Sequence, residues 1–138
     1  MPKDSHLLKQ LFTPRTTATL WAIYAATTAY GYWGKSVDAL TPVESILPSS
    51  SPALAWAATA VILTIGVLAP DKQLWAATGR ICRLTGITIA GALLAMWAGS
   101  YFYDAIAEQS RMWVSGKNYV MLTIAAMASG SIMGRTNI

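Results

Sequence analysis

Four stretches without a charged side chain constrain this chain more than any other feature of its sequence. They are 17 to 20 residues long and cover residues 16–33, 52–69, 84–103 and 118–134. A helix rises about 1.5 Å per residue, so eighteen residues reach roughly 27 Å, close to the thickness of a hydrocarbon layer. The pattern therefore predicts an all-α integral membrane bundle of four transmembrane helices.

The composition supports a membrane environment over an aqueous one. Hydrophobic residues make up 54% of the chain and charged residues 12%, against roughly 25% charged in soluble domains. The alternative is a soluble, alanine-rich helical bundle, but each of its helices would need a polar face. Several of the four stretches have none, so we expect residues 1–138 to form a single membrane domain.

Prolines mark several of the predicted helix boundaries. Pro14 precedes the first stretch, Pro52 lies at the start of the second, and Pro70 follows its end. Proline is tolerated in the first turn of a helix but not in its interior. We therefore expect two helical hairpins, joined by a short connection over residues 70–80.

Lysine and arginine are unevenly distributed on the two sides of this scheme, which predicts its orientation. One side carries Lys3, Lys9, Arg15, Lys72, Arg80, Arg83 and Arg135, and the other carries Lys35, Arg111 and Lys117. Short loops rich in positive charge stay in the cytoplasm. We expect both termini inside (N-in/C-in) and a multi-pass location in the bacterial inner, cytoplasmic membrane. The residues expected to fix topology at lipid headgroups are Arg15, Lys72, Arg80, Arg83 and Arg135.

Two segments have the pattern of helices that lie on a membrane surface. In residues 5–12, Leu7 and Leu11 share an apolar face, which favours a short interfacial N-terminal helix. Residues 104–113 could form a second one. The alternative for both segments is ordinary extension of a helix into solvent.

Small residues at four-residue spacing predict where helices pack, because close backbone approach drives helix association in lipid. Three such ladders are present: Ala18, Ala22, Ala25 and Ala29; Gly91, Ala95 and Gly99; and Ala126, Gly130 and Gly134. The partner helix could belong to the same chain or to another one. As binding partners we therefore expect the lipid bilayer and, in addition, either further copies of the chain in a homo-oligomer or partner membrane subunits.

A second stripe on the first stretch carries hydroxyls and aromatic rings. It comprises Thr17, Trp21, Tyr24, Thr28 and Tyr32, and the third stretch adds Thr85 and Thr88. Such hydroxyls could line a wet path across the membrane. Alternatively, each bonds the carbonyl four residues earlier in its own helix.

Groups that usually carry chemistry are missing from the centres of the four stretches. No Asp, Glu, Lys, Arg or His lies there, although such residues mark functional sites within membranes. One cysteine and one histidine cannot build a metal cluster. No phosphate-binding glycine loop or basic stripe appears. We expect no enzymatic activity, no catalytic, metal or cofactor site, and no nucleic-acid partner.

In its size, its short spans rich in alanine, threonine and glycine, and its near-absent soluble portion, the chain resembles small phage-encoded membrane proteins, including holins. This resemblance implies a non-enzymatic protein that self-associates through small-residue faces and permeabilises or remodels the membrane. A structural or accessory subunit of a larger membrane complex is the main alternative. A small channel or transporter is the third possibility. It is the least favoured, because no span of this chain contains a charged residue or a break in the helix.

Overall fold

The computed structural model describes residues 13–33, 50–108 and 112–134. Within these ranges the chain forms four α-helices and no strand: α1 (Pro14–Tyr32), α2 (Ser51–Leu68), α3 (Gln73–Glu108) and α4 (Trp113–Met133). The prediction of an all-α chain with four helices is confirmed for the described residues. The interfacial helix predicted over residues 5–12 lies outside them.

Two of the described helices are long and apolar enough to cross a membrane, over Ser51–Leu68 in α2 and Leu74–Ala107 in α3. The structure thus contains two candidate spans, and four transmembrane helices stay a prediction. Five threonines in α1, and Lys117 and Asn118 in α4, make these two helices more polar than α2 and than the spanning window of α3.

The starts of α1 and α2 follow from local chemistry. Thr13 caps α1, because its side-chain oxygen accepts a hydrogen bond from the backbone N–H of Thr16 at 3.1 Å. Pro14 occupies the first turn of α1, and Pro52 the first turn of α2. A proline there removes only an N–H that has no partner within the helix. Both boundaries lie within two residues of their predicted positions.

Helix α3 is much longer than its predicted span of residues 84–103. It begins at Gln73, where the carbonyl of Lys72 accepts hydrogen bonds from the N–H groups of Trp75 and Ala76 at 2.8 and 2.9 Å. The connection predicted over residues 70–80 is therefore wrong over most of its length. Arg80 and Arg83 interrupt the apolar stretch, but arginine is a good helix former and does not interrupt the helix.

The opposite end of α3 also extends beyond the prediction, to Glu108. The first half of the segment over residues 104–113 thus belongs to α3, as the helix-extension alternative proposed. With 36 residues, α3 is about 54 Å long. A hydrocarbon layer is only about 30 Å thick, so a straight α3 could not be contained within it.

Consecutive helices make the main contacts: α1 packs on α2, α2 on α3, and α3 on α4. The largest fully buried side chains are those of Trp56, Leu63, Leu94 and Met133, together with Thr59. Helix α1 also reaches α4, where the indole N–H of Trp21 donates to the Ser129 hydroxyl at 2.9 Å. The four described helices therefore share one core.

The crossing of α2 and α3 is the tightest contact between helices at the described glycines. A Cβ atom at Gly66 would lie 2.9 Å from the backbone nitrogen of Arg83, and one at Gly79 would lie 2.8 Å from the Cβ of Ala69. A Cβ at Gly86 would meet Leu63 at 2.6 Å. Real Cβ atoms essentially never approach so closely, so this crossing requires glycine. None of the three glycines belongs to the predicted ladders.

We expect Gly66→Ala to destabilise the protein by about 2 kcal/mol, because the added methyl group overlaps backbone that cannot move independently. Gly31→Ala is the matched control. A Cβ atom added at Gly31 would meet no other described side chain or helix within 4 Å, so alanine there should be neutral or stabilising by up to about 1 kcal/mol. The measurement is unfolding in mild detergent, followed by tryptophan fluorescence. Equal stability of the two variants would contradict the tight crossing.

Candidate functional site

Two arginines from different helices meet at the C-terminal end of α2. Arg83 of α3 donates from Nη1 to the carbonyl oxygen of Gly66 at 2.7 Å. Arg15 of α1 donates from Nη2 to the carbonyl oxygen of Ala69 at 2.7 Å and to Oδ1 of Asp71 at 2.9 Å. The last carbonyls of a helix lack partners within it and carry partial negative charge. The two guanidinium groups thus neutralise the end of α2.

The sequence explains why the carbonyl of Gly66 needs a donor from another helix. In a continuing α-helix this carbonyl would accept the N–H of the residue four positions later. That residue is Pro70, which has no N–H. Arg83 provides the missing donor, and it does so only because glycine at position 66 lets α3 come close.

The glycines of α3 also fix the direction of Arg83. Gly79, Arg83 and Gly86 follow the spacing of one helical face, and both glycines contact α2 residues. The position of a Cβ at Gly79 lies 3.3 Å from Nη1 of Arg83. Arg83 is therefore directed towards α2, and its Nε is buried without a hydrogen-bond partner among the described residues.

The five residues predicted to contact lipid headgroups take different positions. Lys72 and Arg80 are exposed, and the side chain of Arg15 is 43% exposed. Arg83 differs from the expectation, because it is half-buried and bonds α2. Arg135 lies outside the described residues. We refer to Arg15, Arg80 and Arg83 as the arginine cluster.

Most of the predicted small-residue ladders lie at contacts within the chain. In α1, Ala18, Ala25 and Ala29 are buried and Ala22 is partly buried. Ala126 is buried between α3 and α4, where the position of a Cβ at Gly91 lies 3.6 Å from its methyl group. The corresponding positions at Gly130 and Gly134 each lie 3.7 Å from a side chain of α3, that of Ile87 and of Leu84 respectively.

Ala95 and Gly99 behave differently from the other ladder residues. Both are exposed, and a Cβ atom added at Gly99 would meet no described atom of another helix within 4 Å. Thr88 and Ala92 are exposed as well and precede them at helical spacing. These four residues form an open strip of small side chains on α3, which we call the α3 face. A packing role for it requires a helix from outside this part of the chain.

Large apolar side chains are exposed on each of the four described helices. Examples are Leu20 on α1, Leu68 on α2, Ile81 on α3 and Met127 on α4, each more than 60% exposed. Only 39% of the spanning window in α2 and 33% of that in α3 is buried. Soluble monomers rarely expose apolar surface on this scale. The outer surface is therefore suited to a nonpolar environment.

The hydroxyl stripe contributes little to a polar path. Thr28 donates to the carbonyl of Tyr24 at 2.7 Å, and Thr88 donates to that of Leu84 at 2.8 Å. These are the bonds to the carbonyl four residues earlier that the alternative interpretation proposed. Tyr24 packs edge to face against Trp21 and Trp56, with ring centroids 5.5 and 5.7 Å apart. This part of the stripe contributes to the core.

Among the described residues, no three His, Cys, Asp or Glu side chains come together in a way that could hold a metal ion. A scan against models of protein families finds no match to this chain, and searches of curated proteins and of solved structures find none either. The arginine cluster, the α3 face and the exposed apolar surface are the features of the described residues that bear on function.

We expect Arg83→Met to destabilise the protein by about 2 kcal/mol, because it keeps most of the apolar stem but leaves the Gly66 carbonyl without its charged donor. Asp71→Asn should cost less than about 1 kcal/mol, since the Asp71 side chain is 83% exposed. Both values come from unfolding curves in the same detergent. A larger loss for Asp71→Asn than for Arg83→Met would overturn this ranking.

Proposed function

We propose that the protein is a non-enzymatic, multi-pass membrane protein of the bacterial inner membrane, with all four helices in the bilayer and both termini in the cytoplasm. Support comes from the apolar side chains exposed around the described bundle, which water would solvate poorly. The basic residues Arg15, Lys72 and Arg80 lie near one end of the helices. That distribution favours a cytoplasmic location for this end.

We further propose that copies of the chain associate through the α3 face. In lipid, apolar surface alone does not drive helices together, whereas small residues permit close backbone contact. The ladders of α1 and α4 already pack against helices of the same chain. Ala95 and Gly99, with Thr88 and Ala92, remain open to a further helix, and this observation carries the proposal.

The proposed outcome of assembly is permeabilisation or remodelling of the membrane, as in the holins that the chain resembles. Trp56, Leu63, Leu94 and Met133 fill the core of the described bundle. A water path would therefore form between copies of the chain and not through a single one. The filled core also makes the small-channel alternative less well supported.

An accessory subunit of a larger complex is the second candidate, and the same α3 face favours it. In that case the helix that packs on Ala95 and Gly99 would belong to a different protein. The two candidates predict different assembly by the isolated chain: self-association in the first, and none in the second.

We expect Ala95→Leu to weaken self-association by at least tenfold, because a bulky side chain prevents close backbone approach on the α3 face. Ala58→Leu is the matched control, since Ala58 is an exposed alanine on α2. Crosslinking in membranes and light scattering in mild detergent measure assembly. Membrane potential after induced expression measures permeabilisation, which should appear with the control and be lost with Ala95→Leu.

A purified chain that stays monomeric and leaves the membrane potential unchanged would contradict self-association. Stoichiometric co-purification of another membrane protein, lost in Ala95→Leu, would then support the accessory subunit. Equal effects of Ala95→Leu and Ala58→Leu on assembly would contradict the assignment of the interface to α3.

A further inference from the structure

An excess of positive charge gathers around the C-terminal end of α2. Arg15 and Arg80 lie close enough to Arg83 for their positive charges to repel that of its guanidinium group. The carboxylate of Asp71 also lies close enough to attract it. Lys72 follows Asp71 directly and is also exposed. Four basic side chains thus accompany one carboxylate, and like charges held together repel each other unless an anion offsets them.

The hydrogen-bond donors of the cluster are also incompletely used. An arginine guanidinium has five N–H donors. The Nε of Arg83 is buried and has no partner among the described residues, and a buried N–H without an acceptor is unfavourable. The donors that an anion can reach are those of Arg80, which is exposed, and of Arg15, whose side chain is 43% exposed. Together with the excess of positive charge, they indicate an anionic acceptor at this place.

The surroundings of the cluster match the level of lipid headgroups. Leu74, Trp75 and Ile81, in the first turns of α3, are 89%, 55% and 63% exposed. Arg80 projects from the same turns. Exposed apolar and aromatic side chains beside basic ones are typical of the interface between lipid and water. A phosphate group is the most abundant anion at that level, and the planar guanidinium fork suits it.

We propose that the arginine cluster binds a phosphate group at the α2–α3 crossing. Arg80 and Arg15 provide exposed N–H donors, and the half-buried Arg83 adds positive charge from the side of α2. The phosphate could come from the headgroup of an anionic phospholipid or from inorganic phosphate, since both present the same acceptor oxygens. This site does not depend on self-association through the α3 face.

The test measures binding by the full-length protein in mild detergent, with native mass spectrometry and thermal unfolding as readouts. The probes are phosphatidylglycerol, zwitterionic phosphatidylcholine and inorganic phosphate. Arg80→Gln removes an exposed charge from the cluster while leaving the bonds of Arg15 and Arg83 to α2 in place. Lys117→Gln is the matched control, because Lys117 is an exposed cation of α4 that lies over the ring of Trp113.

We expect Arg80→Gln to weaken phosphatidylglycerol binding about fivefold, with Lys117→Gln within twofold of the unmodified protein. Saturating phosphatidylglycerol should raise the unfolding temperature, and phosphatidylcholine should not. If inorganic phosphate binds with the same dependence on Arg80, the site is supported and free phosphate is a ligand. If it does not, while phosphatidylglycerol does, the source is the lipid headgroup.

Three results would overturn the phosphate site. They are equal binding of phosphatidylglycerol and phosphatidylcholine, equal effects of Arg80→Gln and Lys117→Gln, and no binding of any phosphate probe by a folded protein. None of these results depends on assembly, so the self-association proposed above can fail while the phosphate site stands.

Discussion

The hydrogen bond from Arg83 to the carbonyl of Gly66 is the contact on which the arrangement of the helices depends most. Pro70 leaves that carbonyl without a donor in its own helix, and Gly66 and Gly79 bring α3 close enough for Arg83 to reach it. The bond links α3 to α2, while α1 packs on α2 and α4 packs on α3. The missing N–H of Pro70 is thus compensated by a close glycine crossing and a half-buried arginine.

Much of the fold follows from the sequence, and the reasons are local. Thr13, Pro14, Pro52 and Pro70 mark helix boundaries whose chemistry does not depend on the rest of the fold. The extent of α3 could not be read in the same way. Arg80 and Arg83 mark where the uncharged stretch of α3 begins, but an arginine does not end a helix. The apolar stretch and the helix therefore begin at different residues.

The packing glycines show a second limit of sequence reasoning. A ladder at four-residue spacing can be recognised within the sequence of one helix. The contacts of Gly66 with Gly79 and Arg83 join two different helices, so they are seen only when the positions of α2 and α3 are known. A usable signal was nevertheless present. Gly79, Arg83 and Gly86 share one helical face directly after the short connection that follows Gly66, which predicts contact between that face and α2. No pattern in the sequence predicts that the Nε of Arg83 is buried without a hydrogen-bond partner among the described residues.

We propose that the exposed side chains of all four helices face lipid, including those of α1 and α4. Single cysteines at Ile23, Val61 and Ile124, which are exposed on α1, α2 and α4, test it in a Cys82→Ser background. In unsealed membranes, a charged maleimide should label a cysteine at the exposed position 72 and leave these three unlabelled until detergent is added. Labelling of Ile23→Cys or Ile124→Cys before detergent is added, at the rate of Lys72→Cys, would show that α1 or α4 faces water and not lipid.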